Sequence, residues 1–213
     1  MSEFLTGDVV HGPPPPPPAD WGRGGDGPSD GRGASRRASL IGLCLLLVSS
    51  SVVFLAFTAA FLMRRSGAPD WVSTPKPKIL WLNTGVLLVS SAVIEKARRA
   101  IKAGNRSAFN WWWTSATGLG VLFLMGQAWV WRDLKDAGLY IASNPSTSFF
   151  YMLTATHAAH VLGALAALIY VDIAALWFRL GPAKRTAVDA SAIFWHFLDV
   201  LWLGLMLLLY AWG

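Results

Sequence analysis

Three of the four histidines and one aspartate of this chain fall where polar groups are least expected. His157 and His160 sit three residues apart in "ATHAAHVLG", inside a long apolar run. His196 and Asp199 repeat that spacing in "FWHFLDVLW", close to the carboxyl end. Residues three apart share one side of a helix. Ionisable groups in lipid are expensive and mark a function or a structural tie. Three kinds of chemistry are open to them. Neutral imidazoles on facing helices can ligate a metal or hold a haem axially. Titratable groups can relay protons. A histidine and an aspartate on neighbouring helices can also hydrogen-bond each other and so lock the helices together. The residues alone favour the lock. His-x-x-His lacks the usual helical zinc spacing and has no acidic neighbour in sequence. A relay needs a titratable chain across the bilayer, and the first and third apolar runs offer only hydroxyls and Gln127.

The elements that carry these groups are membrane helices. Of 213 residues, 54% are hydrophobic and only 14% charged, against about 25% charged in soluble domains. Residues Ala38 to Met63, Ser107 to Trp131 and Ala137 to Val171 carry no charge. Each run exceeds the roughly 18 residues that signal a spanning helix. The pattern predicts an all-α integral membrane protein with five transmembrane helices: Ser39 to Met63, Ile79 to Ala97, Trp111 to Trp131, Phe149 to Phe178 and Ala190 to Trp212. Asn110 and Asp189 are placed to cap the third and fifth. The tryptophans Trp71, Trp81, Trp111 to Trp113, Trp129, Trp131 and Trp212 read as an interfacial belt.

Residues 1–37 form a separate arm. "HGPPPPPPADWGRGGDGPSDGRG" cannot bury a core, and reads as a disordered Pro/Gly-rich tail ahead of a membrane domain over 38–213. No short apolar segment follows a basic start at Met1, so the arm does not read as a signal peptide. Cys44 is the only cysteine, which leaves no intrachain disulfide and no cysteine metal site. The net charge of +6 belongs to helix ends and loops and not to a nucleic-acid surface. With the arm inside, twelve Lys and Arg fall on inner segments and six on outer ones. The positive-inside rule then places the amino terminus in the cytoplasm and the carboxyl terminus outside.

Helix packing has its own signals. Ala155, Ala159, Gly163 and Ala167 make a small-residue stripe that would let another helix approach closely. Asn83, Thr84 and Gln127 read as interhelical hydrogen-bonding groups. No phosphate-binding glycine loop, nucleophile motif or broken-helix repeat is present in the sequence.

Four stretches together resemble subunit III of the haem–copper oxidases. "SFFYMLTATHAAHVLGAL" carries the Ser-Phe-Phe start and the Thr, His-x-x-His-Val and Gly pattern. "FWHFLDVLWLGLMLLLYAWG" carries Trp-His-Phe-x-Asp-x-x-Trp, with Trp195 and Trp202 at its ends. "LWLNTGVLLVSSAVIEKARRA" and "GLGVLFLMGQAWVWRDL" are similar to the family's Leu-Asn-Thr and Leu-Gly-x-x-Phe-Leu-x-x-Gln helices. The order and spacing agree from Ser39 to the end. The resemblance implies the short, five-helix bacterial form of a bundle with a lipid cleft. It implies a subunit without redox metal or haem, packed with the catalytic subunit I and with subunit II of a cytochrome c oxidase in the plasma membrane. Such subunits sustain proton uptake, stability and oxygen delivery during aerobic respiration. On this view His157, His160, His196 and Asp199, with Trp195 and Trp202, tie helices together. Arg98 and Arg99 stand where a phospholipid headgroup contact is expected, and arginine suits an anionic headgroup. Two positions depart from the family pattern: Ser50 and Val130 stand where glutamates are usual, so no carboxylate role carries over. A partner of a quinol oxidase or nitric oxide reductase is the near alternative. A haem-carrying membrane anchor, or a channel or transporter, is the distant one.

Overall fold

The structure is a computed structural model and describes residues 30–67, 71, 75–177 and 182–212, with side chains for 37–67, 71, 75–177 and 186–212. Residues 1–29, most of the arm, lie outside this set. Five helices follow one another: α1 (Asp30–Ser66), α2 (Ile79–Lys102), α3 (Arg106–Asp136), α4 (Pro145–Leu176) and α5 (Pro182–Trp212). Among the described residues there is no strand.

Four of the helices, α1, α2, α4 and α5, are long and apolar enough to cross a membrane. The 31 residues of α3 are long enough, at roughly 46 Å. Its serines, threonines, Asn110, Gln127 and interfacial tryptophans hold its hydropathy below that of the other four. It is nevertheless built into the bundle, packed between α2 and α4.

The helix ends are set by local chemistry and differ from the sequence reading. Asn105, not Asn110, caps α3, its side chain accepting from the Ala108 N–H at 3.0 Å. Asn110 lies a turn inside the helix. Asn144 caps α4 through the Thr147 N–H at 2.9 Å, with Pro145 in the first turn, where its missing N–H costs nothing. The helix therefore begins before Phe149. Asp189 caps nothing: α5 already runs from Pro182, and the carboxylate faces α2 instead. Likewise α1 starts at Asp30, inside the segment read as arm. Gly104 and Gly138, both at φ 76°, close α2 and α3 in the left-handed region that glycine adopts without strain.

Helices α2 to α5 enclose the core, with Trp113, Trp195, Trp202, Phe109, Phe123 and Phe150 fully buried in it. Two glycines set the closest approaches. A Cβ on Gly120 would stand 2.6 Å from Trp195 Cη2, and one on Gly126 would collide with the Asn83 amide. α1 lies against α4 and α5 at the side of this unit.

Candidate polar seam of the bundle

The sequence-predicted residues do come together, but not in the pairs that their spacing suggests. On α2 and α5, which run antiparallel, polar contacts recur at several levels. The buried Thr84 hydroxyl donates to the Leu80 carbonyl at 2.8 Å and accepts from Trp202 Nε1 at 2.9 Å. Ser90 Oγ donates to the Leu87 carbonyl at 2.6 Å and accepts from Trp195 Nε1 at 2.9 Å. Ser91 Oγ hydrogen-bonds His196 Nδ1 and lies beside the Asp199 carboxyl. At the carboxyl-terminal end of α2, Arg98 donates through Nε and Nη2 to Asp189 Oδ1 at 3.1 and 2.9 Å, and through Nη1 to Glu95 at 3.0 Å. The Trp195 and Trp202 indole N–H groups are each satisfied by an α2 hydroxyl, which is the condition for placing polar groups in lipid, whereas neither Asp199 oxygen has a hydrogen-bond partner.

His157 behaves differently. It is fully buried, and neither ring nitrogen has a hydrogen-bond partner. Its ring is enclosed by other rings: Trp202 at 4.9 Å between centroids, Phe123 at 5.9 Å and Phe54 of α1 at 6.2 Å. His160 turns back on its own helix, Nδ1 bonded to the Thr156 carbonyl at 2.8 Å, with its ring 5.4 Å from Phe54. The interhelical histidine–aspartate bond suggested by spacing is therefore not formed. The physical reason is register: α2 inserts Ser91 beside Asp199 and His196, and Phe123 and Trp202 occupy the space around His157. A haem on His157 would have to displace those rings. Among the described residues no three His, Cys, Asp or Glu side chains gather as a metal site requires.

The remaining predicted residues divide. Gln127 is buried with neither amide atom bonded, and the Asn83 NH2 is likewise unpartnered. The interhelical hydrogen bonds expected of these two amides are thus absent, although the Asn83 amide fixes the close approach at Gly126. Ala155, Ala159 and Gly163 face outward, away from the chain's other helices, with Ala167 at the edge of that face. The small-residue stripe receives no helix of this chain. Trp113 leaves the interfacial belt altogether: it is buried, and Nε1 donates to the Leu168 carbonyl at 3.0 Å. Trp81, Trp111, Trp129 and Trp212 remain exposed. Arg98 is engaged by two carboxylates, whereas the Arg99 side chain is 78% exposed with one 3.4 Å contact to Glu95. Ser50 and Val130, where the resemblance led glutamates to be expected, are both buried, and no charge stands at either position.

Several partners escaped the sequence reading. Ser90 and Ser91 look like filler in an apolar run, and only their register against Trp195 and His196 reveals them. Asp172, bonded by Thr114 Oγ1 at 2.7 Å, could have been noticed as a lone carboxylate within the fourth run. Trp131 Nε1 donates to Thr154 Oγ1 at 3.0 Å, and Tyr151 caps the Trp131 and Leu139 carbonyls at 3.2 and 3.1 Å.

These features define a class: a multi-pass helical membrane protein in which indoles, hydroxyls and one imidazole bond helix to helix within the membrane. The comparison with known proteins makes this specific. The profile of the cytochrome c oxidase subunit III family matches residues 32–213, and the chain belongs to that family. It is 32% identical to cytochrome c oxidase subunit 3 of Synechocystis sp. over 80% of this chain and 74% of that one. It is also 32% identical to that of Thermostichus vulcanus, over 80% and 86%. A probable cytochrome c oxidase subunit 3 of Mycobacterium bovis is 29% identical over 78% of this chain and 84% of its own length. Membership implies association with the core of a haem–copper oxidase and a place in the electron transport chain.

Proposed function

We propose that this chain is the non-catalytic subunit III of a proton-pumping cytochrome c oxidase, holding no redox group itself. It packs against the catalytic subunit I in a complex that includes subunit II, in a bacterial-type plasma membrane. The amino terminus lies in the cytoplasm and the carboxyl terminus outside, as the twelve-to-six distribution of basic residues supports. The observation that carries the reading is the family match over 32–213 together with a seam whose indoles, hydroxyls and His196 bond helix to helix. His196, Trp195 and Trp202 act as ties through Ser91, Ser90 and Thr84. His157 and His160 act as ring-packing anchors for α1. Asp199, beside Ser91, holds α5 in register. Its outward stripe of Ala155, Ala159 and Gly163 suits a helix of subunit I. Arg99, more than the ion-paired Arg98, is available to a phospholipid headgroup on the cytoplasmic side. The subunit supports assembly and proton and oxygen delivery to subunit I, without a carboxylate at Ser50 or Val130.

The test is purification through an affinity tag on this chain from its native membrane. A haem–copper core recovered with it, turning over oxygen with reduced cytochrome c, is the expected result. Turnover with a quinol alone would reassign the electron donor. Recovery without any haem–copper core, or a Soret band that follows the isolated chain, would overturn the proposal. Asp199→Leu should lower recovery of the complex more than the activity per assembled complex; a fully assembled variant that stops at its first turnover would contradict the structural role.

A further inference from the structure

The turn that joins α3 to α4 is built more firmly than a connection needs. Ser143 Oγ accepts from the Tyr140 N–H at 2.7 Å, and the Ser143 N–H donates to the Tyr140 carbonyl at 3.0 Å. Ser148 Oγ donates to the Ile141 carbonyl, and the Tyr151 hydroxyl donates to the Leu139 carbonyl at 3.1 Å. Asn144 is spent as the cap of α4. The turn thus ties its polar groups to its own backbone and to α4. Yet it holds Tyr140 and Ile141 outward at its tip, 58% and 63% exposed. Between this turn and the last turns of α1 lies an open hollow of about 810 Å³. Ala142, Ser143, Asn144 and Ser148 line it on one side, and the exposed Arg64 on the other, the one charged side chain among its described lining.

We propose that this hollow and the tip beside it dock an extramembrane polypeptide segment of a partner subunit. The segment brings a carboxylate to Arg64 and packs an apolar side chain on Tyr140 and Ile141. Charge complementarity selects the anchor, because a guanidinium and a carboxylate pair through two parallel hydrogen bonds. The residue types agree, since tyrosine and arginine carry a large share of the energy at protein interfaces. A turn already fixed by its own hydrogen bonds has little ordering left to lose when it binds. The shape selects against other occupants. A small ligand is enclosed by mostly apolar walls, whereas this hollow is open and two serines and an asparagine line it. The same polar floor offers no track for an acyl chain. The inference rests on the reading above for the membrane complex that supplies the partner, and adds the surface and its chemistry.

The experiment places the photo-crosslinker p-benzoylphenylalanine at Tyr140 and purifies the native complex through a tag on this chain. After irradiation, mass spectrometry of the digested adduct identifies the captured segment. The expected product joins this chain to one extramembrane segment of another subunit, with an Asp or Glu within a few residues of the captured site. Arg64→Glu should cut its yield several-fold, and Arg64→Lys should retain most of it. Ala142→Trp, at an exposed position, should lower the yield by filling the hollow. If the probe at Tyr140 blocks accumulation, Ile141 carries it, with the same result expected. Adducts to lipid alone, to this chain or a second copy of it, or to a partner segment without a carboxylate would overturn the proposal. So would a yield that Arg64→Glu leaves unchanged. The two readings fail separately. An intact oxidase with no protein adduct at the tip overturns only the docking surface, and a carboxylate-bearing adduct in a complex without a haem–copper core overturns only the oxidase assignment.

Discussion

Helix α1 and the unit α2–α5 are held by different physics. In the most apolar window of α5, 56% of residues are buried within the chain, against 11% for α1. α2 and α5 are joined by hydrogen bonds at several depths: Thr84 with Trp202, Ser90 with Trp195, Ser91 with His196, and Arg98 with Asp189. From Leu40 to Met63, among the described residues, no side-chain hydrogen bond leaves α1. Its ring contacts are Phe54 on His157 and His160, and Phe61 on Phe149 and Trp71, and Leu43, Leu47 and Phe57 add apolar packing without direction. Lipid is as apolar as Leu, so burying apolar surface gives little force between membrane helices. Directional bonds and close packing specify position, and α1 has few of either. The comparison teaches that α2–α5 is a fixed scaffold, while α1 is a separable helix whose place depends on ring contacts, on undirected apolar packing and on what covers its outer face.

The largest effect should come from the scaffold. Trp202→Ala removes a fully buried indole, its bond to Thr84 and its contacts with His157 and Phe123. A loss of about 3–5 kcal/mol is expected for a buried Trp→Ala change, read as loss of accumulated complex or a large drop in its melting temperature. Trp202→Phe should recover most of this. Next, Gly120→Ala should cost about 1–3 kcal/mol through overpacking against Trp195, whereas Gly85→Ala, where nothing lies within 4 Å, should be close to neutral. Equal effects at both would contradict the close fit of the Trp195 indole against Gly120.

Phe54→Ala sharpens the contrast. It should raise amide hydrogen exchange in α1 while leaving α2 and α5 protected, because it cuts the contacts of α1 with His157 and His160. Exchange rising equally in all five helices would show that α1 is not separable. Ser91→Ala should cost about 0.6 kcal/mol, the average for single interhelical hydrogen bonds in membranes, and no more than about 1.7, read as a modest fall in melting temperature of the complex. The smallest effect belongs to Asp189→Asn, which loosens a half-exposed ion pair with Arg98 worth roughly 0–1 kcal/mol. It should leave accumulation unchanged.

The helical plan was legible from charge-free runs and interfacial tryptophans, because a chain in lipid must satisfy its backbone within each segment. The ends were read less well. Asn105 and Asn144 cap by local geometry, and Asp189 serves a distant arginine, so a polar residue near a boundary does not declare its role. The same ambiguity affected the seam. Spacing correctly put His196 and Asp199 on one side of α5, yet it could not say that Ser91 would stand beside both.

The sequence by itself determined that the chain folds as helices in a membrane, where they fall, and which rare polar residues must be accounted for. These follow from the cost of exposing charge and backbone to hydrocarbon, which each segment meets locally. Only the tertiary structure decided the partners: indoles with α2 hydroxyls, His157 among aromatic rings, the small-residue stripe facing outward. Partner choice depends on the rotation and register of helices distant in sequence, and a shift of one residue turns a helical side chain by about 100°.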